Sequence, residues 1–310
     1  MGQKVIVIVG PTCSGKTKLS LILAEKLKSE IISADSRQVY KFLTIGTAKP
    51  NSDELRIIKH HFIDELDPDE EFNADIFSKR AKEIIYLLIE KKISPIVVGG
   101  SGLYIKALVD GITQTVVSDK SLRYELLELR KKFGNDYLYN ELKKIDPKSA
   151  EKLLPQNWKR VIRAIEVFKL TGKPIWQHHI ENPVQKEFDF CQYGLKWERN
   201  KLYHNIESRV DEMIRTGFIE EVKMILHKGY SKEINSLNTL GYKEIIDLLD
   251  NKLTFDEAVN RIKINTRRFA KRQMTWFNAD KRIKWFEIDS YQELSNIAEN
   301  ILEDFYERKN

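Results

Sequence analysis

Gly10-Pro11-Thr12-Cys13-Ser14-Gly15-Lys16-Thr17 fits the pattern G-x-x-x-x-G-K-[ST] in full. The run before it, Val5-Ile6-Val7-Ile8-Val9, is short, apolar and β-branched, which reads as a buried strand. After it, Leu19, Ile22, Leu23 and Leu27 recur at helical spacing. A strand, a glycine-rich turn and a helix N-terminus make an anion cradle. Backbone N–H groups point inward, the helix dipole favours negative charge, and Lys16 adds a full positive charge. Thr17 is expected to put its hydroxyl on a magnesium ion. The eight loop residues are expected to bind a di- or triphosphate.

Outward from the loop, residues 30–35 read as a second strand ending in a carboxylate, and residues 95–100 as a third. Between them, residues 74–90 carry a helical period through Ile76, Phe77, Ala81, Ile84, Ile85, Leu88 and Ile89. This alternation predicts a parallel sheet with helices packed on it. The ligand crevice of such a sheet lies beyond the carboxyl ends of its strands. The loop, Asp35 and Gly99-Gly100 all fall at such ends and are expected to face one cleft. From 113 to 184 the chain reads as charged helices: 125–132, 138–142, one opening at Asp146-Pro147, and a basic amphipathic helix over 157–170 stopped by Gly172 and Pro174. A strand is expected over 192–197, helices over 201–215, 219–228, 243–249 and 255–277, a last strand over 283–288, and a C-terminal helix. The expected fold is α/β, a P-loop NTPase-like parallel sheet flanked by helices, with an inserted mainly helical domain. Its parts are 1–112 (first part of the core), 113–184 (insertion) and 185–310 (completion of the core).

The 310 residues carry a formal net charge of +6, which permits a nucleic-acid partner without requiring one. Cys13 and Cys191 are too few and too far apart for a disulfide framework or a zinc site, and Cys13 reads as a small space-filler in the loop. No apolar run approaches the roughly 18 residues of a membrane span. The first strand starts too early to leave room for a signal peptide. A cytoplasmic protein is expected, and a monomer, since no self-complementary surface stands out.

Asp35, in Ser33-Ala34-Asp35-Ser36-Arg37-Gln38, has three readings: it holds magnesium through water, it caps the next helix, or it accepts a proton from a nucleophile. The third strand ends in Gly99-Gly100-Ser101-Gly102, where an ordinary phosphate-loop ATPase carries a metal-holding Asp. Glycines permit close backbone approach but hold no metal. A site of this kind opens onto something bulky. The helix over 261–277 places Arg267 beside Lys271 and Arg268 beside Arg272, with almost no acid interleaved. A phosphodiester backbone is the natural partner. Lys159, Arg160 and Arg163 repeat the theme in the insertion. The pairs His60-His61 and His178-His179 lack metal-site spacing, and the aromatics at 276, 277, 285 and 286 read as core.

Together these segments resemble the tRNA dimethylallyltransferases (the tRNA isopentenyltransferase family), nearly end to end. The likeness is carried by GPTCSGKT at 10–17, ISADSRQVY at 32–40, IGTAKP at 45–50, VGGSGLYIKAL at 98–108, KRVIRAIEVFKLTGKP at 159–174, ESRVDEMIRTGFIEEV at 207–222, LGYKE at 240–244 and TRRFAKRQMTWF at 266–277. The resemblance implies transfer of a dimethylallyl group from dimethylallyl diphosphate to the exocyclic N6 amine of an adenosine. That adenosine lies just 3′ of the anticodon, in tRNAs reading codons that start with U. Magnesium is the implied cofactor and the tRNA anticodon stem-loop the implied partner. The resemblance makes Asp35 the general base and gives Thr17 and Arg209 the diphosphate. It implies tRNA contacts for Asp35, Ser36, Arg37 and Gln38, for Ser101 and Arg123, and for Lys159, Arg160, Val161, Ile162 and Arg163. A further basic segment, with Arg267, Arg268, Lys271, Arg272 and Gln273, is implied to lie close to the RNA. Cys13 stands where the family commonly has Ala, Ser101 where it usually has Thr, and Lys159 where it commonly has Gln. The absence of a C-terminal zinc finger before Asn310 suggests the bacterial form. Two other readings explain the loop: a small-molecule or nucleoside kinase using ATP, and an RNA-binding NTPase switch. The first leaves the basic helices without a purpose, and the second lacks a guanine-reading [NT]-K-x-D motif.

Overall fold

A computed structural model describes residues 3–111, 119–181 and 187–307. The chain divides into two compact units, Met1–Asp110 with Lys186–Asn310, and Gly111–Gln185. The expected boundaries at 112/113 and 184/185 lie outside the described residues.

In the first unit the chain runs β1 (Gln3–Val9), α1 (Lys16–Leu27), β2 (Ile31–Ser33), α2 (Ser52–Ile57), β3 (His60–His61), α3 (Ala74–Glu90), β4 (Ile96–Gly99) and α4 (Gly102–Val109). The second unit contains α5 (Lys120–Ile145), α6 (Pro147–Ala150), α7 (Trp158–Thr171) and α8 (Ile175–Glu181). The first unit then resumes with β5 (Phe188–Trp197), α9 (Arg199–Arg215), α10 (Phe218–His227), α11 (Tyr242–Leu249), α12 (Phe255–Asn278), β6 (Lys284–Ile288) and α13 (Leu294–Glu307).

All six strands are parallel, in the order β3-β2-β4-β1-β5-β6. β1 lies inside the sheet, and Val5 through Val9 are wholly buried, as a strand covered on both faces must be. Ile6 and Ile8 pack with Leu19 and Leu23 of α1 and with Ile297 and Ile301 of α13, and alternation sends Val5, Val7 and Val9 to the opposite face. The carboxyl ends of β1, β2 and β4 therefore open side by side.

Several elements differ from expectation for local reasons. β2 spans only Ile31–Ser33, so Asp35 lies in the turn beyond the strand. α2 was not anticipated, although Asn51 and Glu54 close a reciprocal capping box at its start. Along α5, the two helices expected over 125–132 and 138–142 are present as two helical segments, separated at Gly134, whose φ of 84° breaks the helical path. His60-His61 make the edge strand β3, and His61 Nε2 lies 2.6 Å from Glu30 Oε2. Phe277 is core as expected, whereas Trp276 is 40 % exposed. It lines a groove of about 760 Å³ with Ile105, Lys106 and Lys271. The helical unit has its own core of Leu126, Leu138, Leu142, Val161, Ile162 and Ile165.

Gly99 marks the tightest point of this arrangement. A Cβ there would lie 2.1 Å from the Ala34 carbonyl oxygen, a backbone atom that cannot swing aside. Gly99→Ala is expected to destabilise the fold by about 3 kcal/mol, read as a lower urea midpoint at unchanged slope; an unchanged midpoint would show that β2 and β4 can separate freely.

Candidate active site

The phosphate loop leaves β1 at Gly10 and enters α1 after Gly15, with left-handed φ values of 146° and 93°. No side chain caps α1, so its first-turn N–H groups remain available to an anion. Three distant side chains fix the loop from outside. Gln273 Oε1 accepts from the Thr12 N–H at 2.8 Å, Trp197 Nε1 donates to the Ser14 carbonyl at 3.0 Å, and the Tyr291 hydroxyl donates to the Cys13 carbonyl at 2.8 Å. Gln273 Nε2 also donates to the Gly100 carbonyl at 2.8 Å, so one buried carboxamide joins the loop to the end of β4.

Lys16 Nζ donates to the Pro11 carbonyl at 2.6 Å. Burial, and then the Arg209 guanidinium, push its ammonium down to about 8, against the opposing pull of Cys13 and Asp35. Arg209 arrives from α9, where its Nη1 donates to Thr12 Oγ1 at 3.3 Å and lies 3.4 Å from Cys13 Sγ. Two cations are thus held against one loop, which favours an anion between them. Cys13 is buried, as expected of a space-filler.

Asp35 Oδ1 accepts from the Arg37 N–H at 2.8 Å and the Gln38 N–H at 3.4 Å. These bonds close a turn and cap no helix, since the next helix starts at Ser52 with Asn51 as its cap, and they leave Oδ2 without a hydrogen-bond partner among the described residues. Ser101 Oγ accepts from the Ser36 N–H at 3.1 Å, tying the same turn to the start of α4. The Gln38 side chain is engaged with Ser33 Oγ at 3.1 Å and with the Thr47 and Ala48 carbonyls at 3.2 Å each. It thereby holds the loop over 44–48 against the cleft. Glu221, unanticipated from sequence, secures that loop from the far side. Its carboxylate accepts from the N–H groups of Thr44, Ile45 and Gly46 at 3.0, 2.6 and 3.2 Å and from the Tyr242 hydroxyl at 2.6 Å.

Two cavities of about 360 Å³ each meet here. One is lined by the phosphate loop with Lys16, Thr17 and Asn205. The other is lined by Ser36, Arg37, Ser101, Met213, Leu240 and Arg272 among others. Both are bounded by Thr12, Asp35, Thr47, Ala48, Arg209 and Phe269. The two cavities are neighbours across these six residues, and Asp35 lines both.

The remaining predicted residues divide by burial. On α12, Lys271 and Arg272 are exposed, Arg268 reaches Asn265 Oδ1 at 3.4 Å, and Gln273 is buried in its tether. Arg267 pairs with Glu207 of α9 at 2.5 Å and Lys263 with Asp211 at 2.6 Å. The acids that relieve this basic helix come from its neighbour, which local charge patterning could not reveal. Within the helical unit, Lys159 and Arg160 are exposed, while Val161 and Ile162 bury their side chains in the core. Glu166, with no exposure, lies 2.7 Å from Arg163 Nη1 and 3.6 Å from Arg123 Nη1, holding both guanidinia on one carboxylate. Among the described residues, no three His, Cys, Asp or Glu side chains group as a metal site, and no helix is long and apolar enough to cross a membrane.

The fold and the loop define a phosphate-loop α/β protein whose anion cradle shares a chamber with a carboxylate. The sequence model of a family described as IPP transferase matches residues 38–280. A tRNA dimethylallyltransferase of Alkaliphilus oremlandii is 46% identical over 306 residues, 98% of each chain. The full-length tRNA isopentenylpyrophosphate transferase of Bacillus halodurans superimposes with a TM-score of 0.73 at 38% identity, covering 99% of this chain and 98% of that one. A eukaryotic dimethylallyltransferase, solved acting on tRNA, gives a TM-score of 0.84 at 31% identity, over 99% of this chain and 80% of that one. The chain belongs to the IPP transferase family.

Replacing Gln273 by Ala leaves the Thr12 N–H and the Gly100 carbonyl unpaired. The expected cost is about 2–3 kcal/mol, measured by urea unfolding, together with weaker inorganic diphosphate binding by calorimetry. Unaltered diphosphate affinity would show that the loop keeps its shape without the tether.

Proposed function

We propose that this protein transfers the dimethylallyl group of dimethylallyl diphosphate to the exocyclic N6 amine of the adenosine 3′-adjacent to the anticodon, in tRNAs reading codons that start with U. The product is N6-(dimethylallyl)adenosine. The observation that carries this reading is the place of Asp35, which lines both the cavity of the anion cradle and the neighbouring cavity bordered by Arg37 and Arg272. Family membership favours it over the kinase and the nucleotide-switch readings.

An adenine amine is a weak nucleophile, because its lone pair is delocalised into the ring. As the N6–C1 bond forms, the N6 proton passes to Asp35 Oδ2, while Oδ1 stays bound to the turn. The C1–O bond breaks and its electron pair leaves on the diphosphate. Lys16, Arg209 and the loop N–H groups receive that charge in positions fixed before the reaction begins. The Thr17 hydroxyl lines this cavity, and oxygen donors suit a magnesium ion that completes its shell from diphosphate and water. Bound there, magnesium supplies additional charge stabilisation for the leaving group. The adenosine leaves its stack to enter, at a cost of a few kcal/mol that is least in an unpaired loop. The anticodon stem-loop is the RNA element on this reading. Its phosphates meet Lys271 and Arg272 on α12 and Lys159, Arg160, Arg163 and Arg123 in the helical unit. The protein acts as a monomer in the cytoplasm.

The test is incubation with unmodified tRNA and radiolabelled dimethylallyl diphosphate, with labelled ATP as the competing donor, followed by nucleoside analysis of the RNA. Label from the prenyl donor is expected in one adenosine; label from ATP alone would replace this reading with a kinase. Asp35→Asn keeps the Oδ1 bonds to the turn and removes the base, so turnover should fall by roughly 10²–10⁴ at unchanged melting temperature and tRNA affinity. Near-normal turnover would reduce Asp35 to its structural role. Lys16 is charged below about pH 8 and neutral above it, whereas a bound diphosphate requires it charged. The donor's KM should therefore rise above that pH, by up to about tenfold per unit for one proton taken up, and a flat profile there would remove Lys16 from donor binding.

A further inference from the structure

Two residues that line the phosphate-loop cavity each carry a buried polar atom with no hydrogen-bond partner among the described residues, Ser14 its Oγ and Asn205 its Nδ2. Ser14 belongs to the loop. Asn205 does not, and no sequence motif singles it out. It lies on α9 one turn before Arg209, at the i, i+4 spacing that brings two side chains to one helix face. Arg209 uses that face to reach Thr12 and Cys13. Buried amide donors without acceptors are rare in folded proteins and call for a specific cause. The cavity supplies one, because Lys16, Thr17 and Arg209 are among the residues that line it, together with Asp35, and the two cations with the hydroxyl suit an acceptor-rich anion.

We propose that Asn205 is a further diphosphate-binding residue, its Nδ2 donating to a non-bridging oxygen of the diphosphate seated in the loop. The identity of the prenyl chain rests on the function proposed above; the contact with the anion rests on the cavity. A neutral donor suits this position. Burial and Arg209 already depress the Lys16 ammonium, and another cation on the same face would depress it further. A carboxamide adds a directed hydrogen bond at no cost in repulsion. Asn205 thereby extends recognition of the leaving group to the α9 face of the chamber, which the loop itself does not reach.

The test uses the full chain and inorganic diphosphate, titrated by calorimetry into the wild type, Asn205→Ala and the near-isosteric Asn205→Asp. Asn205→Ala should weaken binding about tenfold, and Asn205→Asp more strongly, because a carboxylate repels the anion. The melting temperature of ligand-free Asn205→Ala should equal or exceed that of the wild type, since an orphaned donor is removed. With dimethylallyl diphosphate as donor, kcat/KM should fall by at least the same factor. Unchanged diphosphate affinity in both variants overturns the assignment, as does a lowered ligand-free melting temperature with affinity intact, the pattern of a purely structural side chain. Failure of the wild type to bind inorganic diphosphate overturns it as well. A wild type that binds diphosphate but labels no tRNA sinks the transferase reading while leaving the Asn205 contact in place.

Discussion

The Gln273 carboxamide accepts from the Thr12 N–H and donates to the Gly100 carbonyl, binding the phosphate loop to the end of β4 through α12. Both groups would otherwise be buried polar atoms with no partner, so the bridge is compulsory once the three elements meet. Trp197 and Tyr291 fasten the same loop through the Ser14 and Cys13 carbonyls. With its carbonyls engaged outward, the loop presents N–H groups inward. An anion cradle follows from where the carbonyls are tied, as much as from the glycines that allow the turn.

The opposite wall of the chamber is built by the same logic with the charges reversed. Glu221 gathers three successive N–H groups of the loop over 44–48, and Gln38 takes two of its carbonyls. Gly46 packs so closely on Phe218 and Tyr242 that a Cβ would approach their rings to 2.3–2.5 Å. Thr47 and Ala48 are thereby set at the junction of the two cavities. Asp35 combines the two functions: one oxygen shapes its own turn and the other is left for chemistry.

The sheet, the phosphate loop and the position of Asp35 were legible because each is written in a local pattern: a β-branched run, a glycine-lysine motif, a strand followed by polar residues. The helices over 74–90 and 255–278 were equally plain from their period. The contacts that shape the chamber were not. Gln273 and Glu221 bind backbone groups far away in sequence, and no spacing encodes a partner more than a hundred residues off. The ion partners of Arg267 and Lys263 on the basic helix, Glu207 and Asp211 of α9, lay outside local charge patterning for the same reason. Val161 and Ile162 are a different case. The resemblance implied tRNA contacts for them, whereas their side chains are buried with Ile165 in the core of the helical unit.

α12 also carries a mechanical consequence. Lys271 and Arg272 precede Gln273 on the same rigid rod, at a rise of about 1.5 Å per residue, so the cations at the surface and the tether at the loop cannot shift independently. The helix backbone is unbroken between those cations and the residue that holds the Thr12 N–H, so surface and loop are referenced to one rigid element.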